Sequence, residues 1–286
     1  MKYFEADFTI SPYSADASDL LAAIAGEAGF ETFEETSTGL KGYVQQALFS
    51  EETLKDVLAD FPFDNVSISY DIKEAEDRDW NEQWEQEGFE PIIVAQRLVI
   101  HDGRHLPDES YPIAIEIDAH LAFGTGTHET TRMICETILE LMDTAEKKPA
   151  VLDCGTGTGI LSICALMAGA KKAIGYDIDE WSVDNARHNA VINRVDEHFQ
   201  SLLGDASILD QVEGEFDLVL ANINRNILLA DLPAFCGKMA PGAQLILSGF
   251  YTSDNTMLIE KAESLGLRLQ TKKEDHDWSC LVFSKS

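Results

Sequence analysis

The amino-acid sequence predicts an α/β protein in which a small α+β domain precedes a larger, doubly wound α/β domain. Three observations lead to this prediction. Strands and helices follow one order in residues 1–73 and alternate regularly in residues 92–286, and a charged segment, residues 74–91, separates the two. A chain of 286 residues also exceeds the usual size of a single domain.

Residues 1–73 contain strand and helix patterns in the order β-α-β-β-α-β. The strand KYFEADFTI is followed by an amphipathic helix that ends near Gly29, and two strand-like runs then turn at STGL. A second helix, SEETLKDVLADF, begins with Ser50 as N-cap, and NVSISYDI is the closing strand. This order is that of the ferredoxin-like, split βαβ arrangement.

The segment 74–91 is highly charged and ends at Pro91, which is typical of a linker. Trp80 and Trp84 are four residues apart, so a helical linker would carry both rings on one face. We expect these two tryptophans to pack against a domain.

Residues 92–286 alternate between strand and helix patterns. PIIVAQRLVIHD and YPIAIEID each predict one strand, and from AVLDC onward apolar strands alternate with helices. LRLQTKKE and DWSCLVFSK predict an antiparallel hairpin at the end of the sequence. In a doubly wound sheet the ligand lies at the carboxyl ends of the strands, near the point where the strand order reverses.

The formal net charge of −30 is the most extreme feature of the composition. Residues 1–90 hold 22 acidic and 5 basic side chains, so they supply 17 of these negative charges. Binding to a nucleic-acid backbone depends on lysine and arginine, so we expect no direct nucleic-acid binding. The acidic surface favours a cationic partner, and solubility alone is the competing explanation.

The five cysteines form no Cys-x-x-Cys pair, which favours reduced thiols and argues against a disulfide framework or a zinc site. No apolar run approaches the ~20 residues that span a membrane. The N-terminus has neither the apolar region nor the cleavage site of a signal peptide. We therefore expect a cytoplasmic protein with no metal site and no membrane association. The sequence does not determine the oligomeric state, and a monomer is the default expectation.

The run VLDCGTGTG, Val151 to Gly159, follows a buried-strand pattern and opens a helix. Its glycines allow a sharp turn and a close approach of a ligand to the backbone. The spacing G-x-G-x-G differs from the dinucleotide fingerprint G-x-G-x-x-G, and no Gly-Lys-Ser/Thr follows. Asp177 ends the next strand, where a carboxylate can bind both ribose hydroxyls. This geometry suits NAD and S-adenosylmethionine equally.

A second glycine-rich run, AFGTGTHETTRM, also opens a helix, with Thr130 and Thr131 at the helix start. A helix N-terminus offers donors to a carboxylate. Thr127 or His128 is the expected N-cap, and a general-base role for His128 is the alternative. Asp205, after the third strand of this domain, is either an adenine ligand or a turn-forming residue.

The motif D-x-G-x-G-x-G, followed by an acid that ends the second strand, resembles the class I S-adenosyl-L-methionine-dependent methyltransferases. FGTGTHETT and LANI narrow the resemblance to the ribosomal protein L11 methyltransferase (PrmA) family, over essentially the whole chain. The resemblance implies a seven-stranded Rossmann-like methyltransferase domain behind a ferredoxin-like domain that recognises the substrate. It also implies S-adenosyl-L-methionine as cofactor and ribosomal protein L11, methylated on lysines and the N-terminal amine, as partner.

The same resemblance assigns the two glycine-rich runs to the two ends of one ligand. The nucleoside is expected at Gly155, Gly157 and Asp177, and the amino acid at the threonine run. The full set of expected cofactor-binding residues is Phe123, Gly124, Thr130, Thr131, Asp153, Gly155, Gly157, Asp177, Asp205 and Asn222.

Asn222, in the run DLVLANINRNILL, ends the fourth strand and is the expected catalytic residue. Methyltransferases that act on flat amides or bases often have Pro-Pro-Tyr/Phe after this position, whereas Ile223 and Asn224 follow here. That difference favours an aliphatic amine as acceptor. The alternatives are a methyltransferase of another protein or of a small molecule, and a non-catalytic ribosome-associated binding protein. The glycine spacing argues against an NAD-dependent oxidoreductase.

Overall fold

The computed structural model describes residues 3–46, 49–59, 61–63, 66–74, 88–118 and 126–286. The chain divides into two compact units, Met1–Glu82 and Gln83–Ser286. The division falls within the segment 74–91, whose predicted helical linker with Trp80 and Trp84 lies outside the described residues.

The first unit is a four-stranded antiparallel sheet with strand order β2-β3-β1-β4 and two helices. The strands are β1 (Tyr3–Ser11), β2 (Phe30–Thr36), β3 (Gly39–Gln45) and β4 (Ser67–Glu74), and the helices are α1 (Ala15–Ala25) and α2 (Glu51–Ala59). Ser50 accepts a hydrogen bond from the Thr53 amide, as expected of an N-cap. The ferredoxin-like classification of this unit stays a prediction.

The second unit opens with a three-stranded sheet of β5 (Ile92–Val94), β6 (Leu98–His101) and β7 (Ile113–Glu116). The single strand predicted for PIIVAQRLVIHD is therefore wrong, because β5 and β6 form an antiparallel hairpin. Ala95 and Gln96 form its turn with φ angles of 50° and 54°. Neither residue is one of the glycines or asparagines that usually signal such a turn, so the pattern did not indicate it.

A seven-stranded sheet with the order β10-β9-β8-β11-β12-β14-β13 follows and confirms the predicted doubly wound fold. The strands β8 to β12 are parallel, and β14 runs antiparallel to both β12 and β13. The strands are β8 (Ala150–Cys154), β9 (Lys172–Asp177), β10 (Phe199–Leu203), β11 (Phe216–Asn222), β12 (Met239–Tyr251), β13 (Leu267–Asp275) and β14 (Trp278–Lys285). The helices are α3 (Glu129–Thr144), α4 (Ile160–Met167), α5 (Glu180–Ile192), α6 (Arg225–Lys238) and α7 (Asn255–Ser264).

Both faces of this sheet are covered by apolar cores. Along β8, Val151 belongs to one core, whereas Leu152 and Cys154 belong to the other. A strand that is buried on both faces reads as a continuous apolar run, which is why AVLDC is recognisable in the sequence. The strand order reverses between β8 and β11, so a ligand is expected at the carboxyl ends of these two strands.

Among the described residues, no helix is both long and apolar enough to cross a membrane.

Candidate functional site

The loop after β8 turns sharply at Gly155, where the backbone has a φ of 77°. The amides of Gly155 and Thr156 both donate to the carbonyl of Tyr176, each at 2.9 Å. A Cβ atom on Gly155 would lie 2.4 Å from Cγ2 of Ile223. Glycine is therefore required here both for the left-handed conformation and for the close approach of the loop after β11.

Asp153 is fully buried beneath this loop. Its Oδ2 accepts hydrogen bonds from Thr156 Oγ1 at 2.9 Å and from Ser162 Oγ at 2.8 Å. Burial raises the pKa of this carboxyl to about 6, and the two hydroxyl donors oppose the rise. Oδ1 is buried and has no hydrogen-bond partner among the described residues. The side chain shapes the loop, and a contact with the cofactor stays a prediction.

Asp177 lies at the end of β9 and is partly exposed. Its Oδ2 accepts a hydrogen bond from the Gly157 amide at 2.9 Å, and its Oδ1 accepts one from the Asp179 amide at 3.1 Å. Asp179 in turn caps α5. The carboxylate is thus held against the glycine loop, as the sequence pattern predicts.

The threonine run opens α3, with His128 as the N-cap. His128 Nδ1 lies 2.9 Å from Thr130 Oγ1 and accepts from the Thr130 amide at 3.3 Å. The capping interpretation of His128 is therefore confirmed. Thr130 and Thr131 are buried. Phe123 and Gly124 lie outside the described residues.

The two glycine-rich runs meet at the end of β11. Asn222 Nδ2 donates to Thr131 Oγ1 at 3.4 Å, across 91 residues of sequence. Asn222 is the last residue of β11, which is paired with β8. The fold therefore brings α3, β8 and β11 together around one site.

Asp205 is exposed and caps a short 3-10 helix, Ala206–Gln211. Its Oδ1 accepts from the Ser207 amide at 2.9 Å, and hydrogen bonds from Ser207 lower the pKa of its carboxyl. The turn-forming role is thus present, and the adenine contact stays a prediction. Within the described residues, no cluster of three or more histidine, cysteine or carboxylate side chains could hold a metal ion.

A ladder of asparagines was not predicted from the sequence. Asparagines occur at every fourth position, with Asn185 and Asn189 in helix α5 and Asn193 as its C-cap. Asn189 Oδ1 accepts from the Asp118 amide at 2.9 Å, and its Nδ2 donates to the Thr158 carbonyl at 3.0 Å. Asn193 Oδ1 accepts from the Glu116 amide at 2.9 Å, and its Nδ2 donates to the Glu116 carbonyl at 2.7 Å.

The ladder ties the end of β7 and the residues just after it to α5, and Asn189 ties both to the glycine loop. These groups are buried or partly buried, so side-chain amides satisfy backbone groups that would otherwise need water. The four-residue spacing in NARHNAVIN is the sequence signal for one polar helix face.

Comparison with known proteins assigns the chain to a family. The model of the family "Ribosomal protein L11 methyltransferase (PrmA)" matches residues 14–286. The chain is similar to the ribosomal protein L11 methyltransferase of Phocaeicola vulgatus, with 44% identity over 99% of each chain. It is also similar to that of Bacteroides thetaiotaomicron, with 46% identity over 99% of this chain and 100% of the relative.

The fold is similar to the crystal structure of a ribosomal protein L11 methylase from Lactobacillus delbrueckii subsp. bulgaricus. The TM-score is 0.62 with 28% identity, and the match covers 69% of this chain and 100% of that chain. These findings confirm the resemblance indicated by the glycine loop and the threonine run. The chain belongs to the ribosomal protein L11 methyltransferase (PrmA) family.

Proposed function

We propose that the protein is an S-adenosylmethionine-dependent N-methyltransferase that modifies lysine side chains and the N-terminal amine of ribosomal protein L11. The observation that carries this proposal is the contact between Asn222 and Thr131. It brings a polar side chain at the end of β11 to the helix start that is expected to bind the amino-acid end of the cofactor.

The residues at the glycine loop fit the nucleoside half of S-adenosylmethionine. Gly155 has no Cβ, which lets the loop turn sharply against Ile223 at the carboxyl ends of β8 and β11, where the ligand is expected. Asp177 is partly exposed and is oriented by the Gly157 amide, which suits a carboxylate that binds ribose hydroxyls. Asp205 would bind the adenine amine.

The start of α3 fits the amino-acid half. Its first amides and the partial positive charge of the helix N-terminus favour a carboxylate. Thr130 and Thr131 add two buried hydroxyls at the same end. Phe123 and Gly124 are proposed to complete this part of the site, with Asp153 beneath the loop.

When bound, S-adenosylmethionine supplies an electrophilic methyl group on a sulfonium. Asn222 would orient the acceptor amine, because its Nδ2 is engaged by Thr131 and its Oδ1 remains the acceptor for an amine N–H. Lysine has a pKa of ~10.4 in water, and desolvation in the site would favour its neutral, nucleophilic form. The chain thus acts by positioning and by exclusion of water, without a covalent intermediate on the protein.

The charge of the first unit supports a basic protein substrate. Lys41 and Lys73 both contact Glu5, at 3.2 and 3.1 Å, and Lys55 contacts Glu51 at 2.7 Å. Three of the five basic residues in residues 1–90 are therefore partnered within the unit, and a large acidic excess remains. We propose that this excess of negative charge recruits lysine-rich L11. We also propose that the enzyme is a monomer and acts in the cytoplasm.

The test is the intact mass of purified L11 after incubation with the enzyme and S-adenosylmethionine. We expect a gain of methyl groups with wild-type protein and with Asn226→Ala, an exposed asparagine on α6, and no gain with Asn222→Ala. Calorimetry of S-adenosylmethionine binding accompanies each variant. Binding without any methyl gain in the wild type would exclude L11 as acceptor, and full turnover by Asn222→Ala would exclude the role of Asn222.

A further inference from the structure

Two aromatic rings are stacked at the surface of the second unit. The rings of Tyr251 and Trp278 have centroids 4.3 Å apart with an interplanar angle of 28°. Tyr251 is the last residue of β12, Trp278 is the first of β14, and the two are paired in the sheet. Tyr251 remains 51% exposed. The stack is therefore a preformed aromatic surface.

This aromatic pair is linked by direct contacts to the candidate site. The Trp278 ring lies edge-on to His128, with centroids 4.5 Å apart. His128 contacts Thr130, and the next residue, Thr131, contacts Asn222.

The pairing of β11 with β12 also brings the aromatic pair close to Asn222. Asn222 is paired with Ser248, three residues before Tyr251 in β12. A Cβ atom on the intervening Gly249 would lie 2.7 Å from the Ile223 carbonyl oxygen. The aromatic pair therefore stands at the same edge of the sheet as the expected catalytic residue.

The surroundings of the aromatic pair are acidic. Asp254 Oδ2 accepts from the Tyr251 amide at 3.3 Å. Two other carboxylates in this region, Glu129 and Asp275, both lie near the same guanidinium.

The basic groups only partly offset these charges. The guanidinium beside Glu129 and Asp275 belongs to Arg132, and Arg225 contacts Asp254 at 2.8 Å. Three carboxylates, those of Asp254, Glu129 and Asp275, therefore lie near two guanidiniums among the described residues, and the remaining negative charge favours a cation.

We propose that Tyr251 and Trp278 form the binding surface for the ammonium-bearing side chain that the enzyme methylates. An aromatic face attracts an ammonium group through the ring quadrupole, and it packs well against the aliphatic stem of lysine. The neighbouring carboxylates add long-range attraction. This inference rests on the proposed function, and it assigns the pair to capture of the arriving amine while methyl transfer takes place at Asn222.

Steady-state kinetics with L11 tests the pair. Tyr251→Leu keeps an apolar side chain and removes the ring, so we expect the KM for L11 to rise about threefold to tenfold, with kcat within about twofold of wild type. Tyr251→Phe retains the ring face, so the KM of this variant for L11 should equal the wild-type value. Met257→Ala is the matched control, because Met257 is also 51% exposed and lies on the adjacent helix α7. An unchanged KM in Tyr251→Leu, or a fall in kcat alone, would overturn the proposal.

A second measurement does not depend on L11 as the substrate. Saturation-transfer NMR compares choline, which carries a quaternary ammonium, with its uncharged carbon isostere on the full-length protein. Choline should receive saturation from wild type and from Tyr251→Phe, much less from Tyr251→Leu, and the isostere much less than choline throughout. Equal signals from choline and the isostere, or no choline signal from wild type, would refute the aromatic site even if L11 is methylated.

Discussion

Replacement of Asn189 by leucine tests whether the asparagine ladder holds the candidate site together. Asn189 is fully buried, and its side chain makes three hydrogen bonds, to the Asp118 amide, the Thr158 carbonyl and Asn185 Oδ1. Leucine has a similar size, so it removes the polar contacts without a large cavity. Each bond contributes roughly 1 kcal/mol, and water cannot reach the groups easily, so the loss is about 3 kcal/mol.

The free energy of unfolding of the second unit should fall by that amount in Asn189→Leu. Urea unfolding measures it, with Val191→Ala as control, because Val191 lies on the same helix, is 58% exposed and should change stability by less than ~0.5 kcal/mol. Since the chain has two units, a local measurement is also needed. Hydrogen exchange should show faster exchange of the Asp118 amide in Asn189→Leu.

The same substitution should weaken S-adenosylmethionine binding, because Asn189 also holds the glycine loop through the Thr158 carbonyl. Calorimetry measures this effect. The reasoning from hydrogen bonds would be refuted if the free energy of unfolding of Asn189→Leu lay within about 1 kcal/mol of the wild-type value and the Asp118 amide were equally protected. The ladder would then not be a stabilising element.

Two further predictions concern the glycine loop. Gly155→Ala should lower the free energy of unfolding by about 2 kcal/mol, because alanine is strained at the left-handed φ of 77° and its Cβ would collide with Ile223 Cγ2. In a double-mutant cycle Ile223→Ala should recover about 1 kcal/mol of that loss, and additivity would contradict the steric account. Burial raises the pKa of Asp153 from 3.8 to about 6, so folding favours the protonated carboxyl. The stability that this protonated carboxyl contributes is fully present below about pH 4 and is lost as the pH rises through about 6. Relative to Asp153→Asn, wild-type stability should therefore fall by roughly 2 kcal/mol between about pH 4 and pH 7 in chemical unfolding, and a pH-independent difference would contradict the raised pKa.

Much of the fold was predictable because its signals are local. The apolar run AVLDC, the glycines after it and the acid at the end of the next strand predict a strand, a turn and a carboxylate beside that turn within about thirty residues, and the structure has all three. The one wrong strand assignment, across β5 and β6, arose where two residues without turn chemistry adopt positive φ angles. Local signals fail where the tertiary structure imposes an unusual backbone conformation.

The sequence by itself determined the doubly wound fold, the glycine loop, the acid at Asp177 and the family resemblance. Only the tertiary structure decided which of these elements meet. Thr131 and Asn222 are 91 residues apart and come together because α3 packs against α4, β12 and β14, and β12 is paired with β11. The aromatic pair of Tyr251 and Trp278 depends on the register between β12 and β14. Such contacts are set by strand register and helix packing, which residue patterns within one element do not specify.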